Sequence, residues 1–200
     1  MAIVGRIISA GIREFRASCL DGQGLAPGFG GLIWTKMGDG GRIYAIVTNL
    51  TISEDALIGQ IARSVEVETS ILWDNRHNRS IPVLINAVVV GFSSRNTFQY
   101  RMPPHPPAVL EVVETCTEEE AISFCAGGNY DHLRYLVTQF DVPRYDLLAA
   151  HFAWMNQNLE KGKVPGWRES ALRKMNSLLQ SDPDCYIRLL EFISHMEKTI

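Results

Sequence analysis

The chain has 200 residues, of which 46% are hydrophobic and 20% charged, and it carries a formal net charge of −3. This is enough chain for one large or two small globular domains, and the composition excludes disorder of the whole. A pI near 6.0 leaves no global basic field of the kind that condenses a protein onto phosphate backbones, so nucleic-acid binding would require a local patch.

The opening Met1-Ala2-Ile3-Val4-Gly5-Arg6-Ile7-Ile8 places an arginine inside a short apolar run. No later stretch approaches the ~20 apolar residues that span a bilayer, and the expectation is a cytoplasmic protein without a membrane segment. Through the first hundred or so residues, glycine punctuation and β-branched residues predict strands over Ile3–Ala10, Glu14–Leu20, Leu32–Met37, Arg42–Leu50 and Leu84–Phe92. Gly38-Asp39-Gly40-Gly41 predicts a tight hairpin turn between the third and fourth of these. Upstream, Gly22, Gly24, Gly28, Gly30 and Gly31 surround Pro27 without forming G-x-G-x-x-G or a Walker pattern, and are read as a barrel corner and not a phosphate cradle. Ser53-Glu54-Asp55 is suited to cap a short helix over Ala56–Arg63 that plugs one end of the barrel. The run Arg101-Met102-Pro103-Pro104-His105-Pro106-Pro107 fixes φ at four prolines and removes four amide donors, so it is read as an extended surface run, either a rigid connector out of the barrel or a docking surface.

From Thr115 the hydrophobic period changes from two to 3.6. Thr117-Glu118-Glu119-Glu120 has the form of a capping box, and Gly127-Gly128 is expected to end that helix in a left-handed conformation. Leu133, Leu136, Val137 and Phe140 mark one face of a second helix. Pro143 starts a third with the stripe Leu148, Phe152, Met155 and Leu159, ended by Gly162. Pro165 and Asp182-Pro183 open two more, with Leu172, Met175 and Leu179 on one and Tyr186, Leu189, Ile193 and Met196 on the other. The fold class is therefore α+β: a small antiparallel β-barrel over residues 1–113, followed by an α-helical bundle over residues 114–200.

Val4-Gly5-Arg6-Ile7-Ile8, Pro27-Gly28 before Leu32-Ile33-Trp34, the hairpin into Ala45-Ile46-Val47, and Ala87-Val88-Val89-Val90-Gly91 leading to Tyr100 and the proline run form one pattern over residues 2–113. In these features the segment resembles the HAS-barrel family, small β-barrels that stand in front of HerA-type hexameric DNA translocases and at the N-terminus of rotary ATP synthase catalytic subunits. In the translocases a P-loop ATPase follows the barrel, and here the pattern departs: the only Gly-Lys pair, Gly162-Lys163, precedes Val164 and not a hydroxyl residue. The resemblance implies a barrel separated from its motor, that is, a non-enzymatic adaptor. Its partner would be a HerA-type ATPase, the associated nuclease, or another copy of itself.

The remaining constellations carry little chemistry. His77, His105, His132, His151 and His195 show no spacing that sets two imidazoles on one helical face. Cys19, Cys116, Cys125 and Cys185 form no C-x-x-C pair and are read as reduced structural thiols. Cys125, His132 and Asp141 have the residue types of a thiol nucleophile, base and orienting acid, without any spacing in support. Glu118, Glu119 and Glu120 are explained by the dipole of the helix they start, and the sequons Asn49-Leu50-Thr51 and Asn78-Arg79-Ser80 by chance. Trp154 and Trp167 lie on or beside helical stripes and are read as core; Trp73, beside the basic loop Asn75-Arg76-His77-Asn78-Arg79-Ser80, is less easily buried. The candidate partner-binding residues are therefore Trp73, Arg76, Arg79, Arg101, Pro103 and Pro104, with no catalytic, metal or cofactor residue. Two alternatives stay open: a small-barrel module that binds nucleic acid directly, and an enzyme whose site lies between barrel and helices.

Overall fold

The glycine-rich spacer turns the expected hairpin. Strand β3 (Leu32–Lys36) pairs antiparallel with β4 (Arg42–Ile52) from Leu32↔Ile46 to Lys36↔Arg42. The Met37 amide donates to the Gly41 carbonyl at 2.9 Å, and Gly40 sits at φ +85°, where a Cβ would be strained. The computed structural model describes residues 2–20, 27–38, 40–52, 82–95, 97–139, 141–160 and 164–197. The expected helix over residues 56–63, Phe140 and Gly162 lie outside these.

Strands β1 (Ile3–Ala10) and β2 (Glu14–Leu20) fall where the alternation places them, and β5 (Pro82–Ser94) runs longer than expected at both ends. Two short strands were not anticipated: β6 (Thr97–Gln99), which folds back on β5, and β7 (Val112–Thr115). The antiparallel order β2-β1-β7-β3-β4-β5 is closed by pairing of β2 with β5 from Glu14↔Val88 to Leu20↔Pro82, giving a six-stranded barrel with β6 as an appendage. Strand β7 is the last of the six in the chain. It inserts between β1 and β3, with Glu114 opposite both Ile3 and Trp34. The proline run joins β6 to β7, so it stays within the barrel's connectivity and does not lead out toward the helices.

Period-two alternation sorts β4 and β5 between two cores. Ile43, Ala45 and Val47 with Ile85, Ala87 and Val89 fill the barrel interior, alongside Ile7, Phe15, Ala17, Ile33 and Val113. The alternate residues Tyr44, Ile46, Val88 and Val90, with Leu32 and Trp34 of β3, point outward into a second core that they share with the helices. Burial on both faces explains why Ile43–Val47 and Ala87–Val90 read as continuous apolar runs.

Five helices follow among the described residues: α1 (Glu118–Gly127), α2 (Leu133–Val137), α3 (Arg144–Met155), α4 (Trp167–Leu178) and α5 (Pro183–Glu197). A π-helical turn over Asn156–Glu160 extends α3. The capping box forms: the Glu120 amide donates to Thr117 Oγ1 at 3.2 Å, and the Thr117 amide donates to Glu120 Oε2 at 3.1 Å. Leu148, Phe152, Met155, Leu159, Met175, Leu179, Leu189 and Ile193 are buried as their periodicity requires. Phe124 of α1 anchors the helices to the barrel, stacking on Tyr44 at 4.4 Å and meeting Phe98 edge-on at 5.6 Å. Arg42 adds an ion pair to Glu120 and lies 4.2 Å above the Trp34 ring.

The glycine pair at the end of α1 behaves differently from the expectation. Gly128 has φ −104°, and the left-handed residues are Asn129 and Tyr130, at φ +49° and +60°. Glycine is required at position 128 for space: a Cβ there would stand 2.0 Å from Cζ of Tyr100, whose hydroxyl donates to the Phe124 carbonyl at 2.5 Å.

Candidate functional site

Trp73, Arg76 and Arg79, with the rest of the loop at 75–80, lie outside the described residues. The other residues singled out for partner contact belong to the end of the barrel where the β3–β4 and β5–β6 hairpins turn. Arg101 is exposed, its guanidinium 5.5 Å from the Phe92 ring centroid and its Nε donating to Gln99 Oε1 at 3.4 Å. Pro104 is exposed, but Pro103 and Pro107 are buried, so Pro103 offers no surface to a partner. Arg101 and Pro104 line an open cleft of about 630 Å³ together with Met37, Phe92, Thr97 and Met102.

The same connection ends in a second exposed feature. Val109 and Leu110 are 58% and 65% exposed, beside Ile8 at 43%. Leu110 has φ +70° and is held there by its amide donating to the Ile7 carbonyl at 2.8 Å and by Arg6 Nη1 donating to its own carbonyl at 2.9 Å. A left-handed leucine costs about 1–2 kcal/mol, and strain of this kind concentrates where a segment is held for a purpose.

Sequence reasoning set Cys125 beside His132 but missed His151, which completes a cluster in the shared core. The ligand atoms of Cys125, His132 and His151 lie within 4.8 Å of one another, and all three residues are buried. Each comes from a different element: Cys125 from α1, His132 from the turn before α2, and His151 from the buried face of α3. His132 Nε2 faces His151 Nε2 at 3.0 Å, and His151 Nδ1 faces the Gly30 carbonyl at 2.7 Å. A carbonyl only accepts, so His151 carries its proton on Nδ1. Its Nε2 is then a lone pair, and His132 donates to it from Nε2. His132 Nδ1 is left buried without a partner.

The approach of Gly30 to His151 explains part of the glycine loop. Gly30 has φ +80°, and a Cβ on it would lie 2.6 Å from the His151 amide nitrogen. The segment 27–31 is thus a corner seated on α3, anchored by the Gly30 amide donating to Val47 O at 2.9 Å and the Val47 amide donating to Gly31 O at 3.0 Å. Trp154 stacks on His151 at 5.6 Å, and Phe124 lies 5.7 Å from His132.

Burial dominates the proton affinities in this region. It holds His132 well below the usual imidazole range, with the neighbouring His151 a smaller cause, and it lowers His151 to about 4 against the opposing pull of the Gly30 carbonyl. It raises the Cys125 thiol well above the usual range and pushes the Cys116 thiol up to about 12. The thiol–imidazole pair named from sequence, Cys125 with His132, therefore does meet. The third member is His151 and not Asp141, which lines a separate cleft with Glu14, Arg16 and Asp146. A thiol kept protonated in a closed apolar core is a poor nucleophile.

No protein-family model matches the chain, and no curated protein is significantly similar to it. Among the described residues no helix is long and apolar enough to cross a membrane.

Proposed function

We propose that the protein is a non-enzymatic adaptor that uses the hairpin end of its barrel to dock a partner, and that the partner is a HerA-type hexameric ATPase engaged in DNA processing. The observation that carries this reading is the one-sidedness of the helical cover. The helices pack on the outer faces of β3, β4 and β5, and no residue of β1, β2 or β7 enters that core. On the uncovered side the chain displays Ile8, Val109 and Leu110, with the cleft lined by Arg101 and Pro104 at the same end of the barrel. Proline fixes such a surface before any partner arrives, which lowers the ordering cost of association. The identity of the partner rests on the resemblance of residues 2–113 to the HAS-barrel family.

The test is affinity capture of the tagged chain from its native host at moderate and high salt, with mass spectrometry, in parallel with an Arg101→Glu, Leu110→Asp variant. Stoichiometric recovery of a HerA-type ATPase by the parent chain, lost in the variant, supports the reading. Recovery of nucleic acid alone, in a salt-sensitive manner, replaces it with the nucleic-acid-binding alternative.

A further inference from the structure

The cluster of Cys125, His132 and His151 plays no part in docking, and three features set it apart from an ordinary buried histidine. First, two imidazoles present the same type of nitrogen, Nε2, to each other at 3.0 Å, with a thiol within 4.8 Å. In a tetrahedral zinc site with Zn–N of about 2.0–2.1 Å the two nitrogens stand about 3.3–3.4 Å apart, so an opening of about 0.4 Å admits a cation. Second, His151 is oriented by a backbone carbonyl on its other nitrogen, the outer contact that fixes the tautomer of a metal-binding histidine. Third, His132 Nδ1 is buried without a partner, so it is open to take up the proton that Nε2 must give up when Nε2 turns from donor to ligand.

We propose that Cys125, His132 and His151 form a buried binding site for a thiophilic closed-shell cation, Cu(I) or Zn(II). One thiolate and two imidazoles are the ligand set that soft and borderline cations select, whereas magnesium and calcium require oxygen. The formal charge separates the two candidates. A thiolate with Cu(I) sums to zero and with Zn(II) to +1, and an unpaired charge in this core is costly. Cu(I) in three-coordinate geometry is therefore preferred. Both imidazoles are neutral, but His132 must shift its proton from Nε2 to Nδ1 to ligate, and the thiol holds its proton, so binding releases one proton from Cys125 to solvent. Trp154, stacked on His151, reports occupancy by its fluorescence.

The experiment titrates the reduced, chelator-stripped full chain with Cu(I) in competition with a chromophoric Cu(I) chelator, and separately with Zn(II). Fluorescence and proton release are recorded for the parent chain, Cys125→Ser, His132→Gln and, as a control for other thiols, Cys185→Ser. The expected result is one equivalent bound, one proton released and Trp fluorescence changed in the parent chain and in Cys185→Ser. Affinity is expected to fall at least tenfold in Cys125→Ser and His132→Gln. Binding of Zn(II) with this pattern and not Cu(I) upholds the site and overturns the charge argument. Failure of the parent chain to bind either cation, or binding by Cys125→Ser as tight as by the parent, overturns the site. Because the parent chain alone decides the first of these, a variant that fails to fold does not rescue the proposal.

Discussion

Acidification should destabilise this protein through its buried imidazole pair. Burial lowers His151 to about 4 in the folded chain, whereas an imidazole in the unfolded chain titrates near 6.5. Between these values the unfolded state binds a proton that the folded state refuses, so stability is unaffected above pH 6.5 and falls as the pH drops toward 4. At about 1.36 kcal/mol per unit, lowering the pH from 7 to 5 costs about 2 kcal/mol through His151 alone, which for a chain of this size shifts the melting temperature by roughly 4–8 °C. His132, also lowered, adds a loss of the same sign. The assay is urea unfolding at pH 7, 6 and 5 of reduced, chelator-treated protein, comparing the parent chain with His151→Gln. Whatever the cost of the substitution at pH 7, the variant should lose about 2 kcal/mol less than the parent on going to pH 5. Stability curves that run parallel with pH would refute the assignment of His151 as a neutral, proton-refusing group.

Three further outcomes follow from packing. Phe124→Ala removes the ring stacked on Tyr44 and should cost about 3–5 kcal/mol in denaturant unfolding, loosening the helices from the barrel wall. Gly128→Ala drives a methyl group into the Tyr100 ring and should cost about 1–3 kcal/mol; combining it with Tyr100→Ala should recover part of the clash, giving a non-additive cycle. Thr117→Ala removes the hydroxyl that accepts from the Glu120 amide, leaving the backbone amide at 117 still able to donate to Glu120, and should cost about 1 kcal/mol, read as a fall in urea midpoint without a change in slope.

The strands with one clear alternation, or with glycine at their ends, were legible in the sequence. β1 and β2 fall on the expected residues, and the β3–β4 turn is where its glycines place it. The short β7 was not legible, because four residues carry too little periodicity and their partners, β1 and β3, are remote in sequence. The helix stripes were visible, but their destination was not: the outward residues of β4 and β5 that receive them look, in one dimension, like any buried strand. The candidate site escaped for a related reason. Cys125, His132 and His151 sit on three elements, so no spacing rule joins them: residue type alone set Cys125 beside His132, and the local sign of His151 is its place one turn beyond the buried Leu147 and Leu148 on the same helix face. Gly30 gave a signal of the wrong kind, since its glycine neighbours suggested only a corner and not the carbonyl that orients His151.

The place of β7 in the barrel bears on how the chain comes off the ribosome. β1 and β3 are both complete by Lys36, yet the strand that lies between them ends at Thr115. At about 5–20 residues per second, β1 waits roughly 5–20 s for that partner, with its ladder toward β7 unsatisfied. An open edge of this kind is a template for pairing with a neighbouring nascent chain. The Arg6 guanidinium stands on that edge, and its bond to the Leu110 carbonyl is one of the contacts made as the barrel closes. A charge at that position on a waiting strand discourages premature pairing between chains during synthesis. A silent slowing of translation between β5 and β7 should therefore raise the insoluble fraction, while slowing after Thr115 should not.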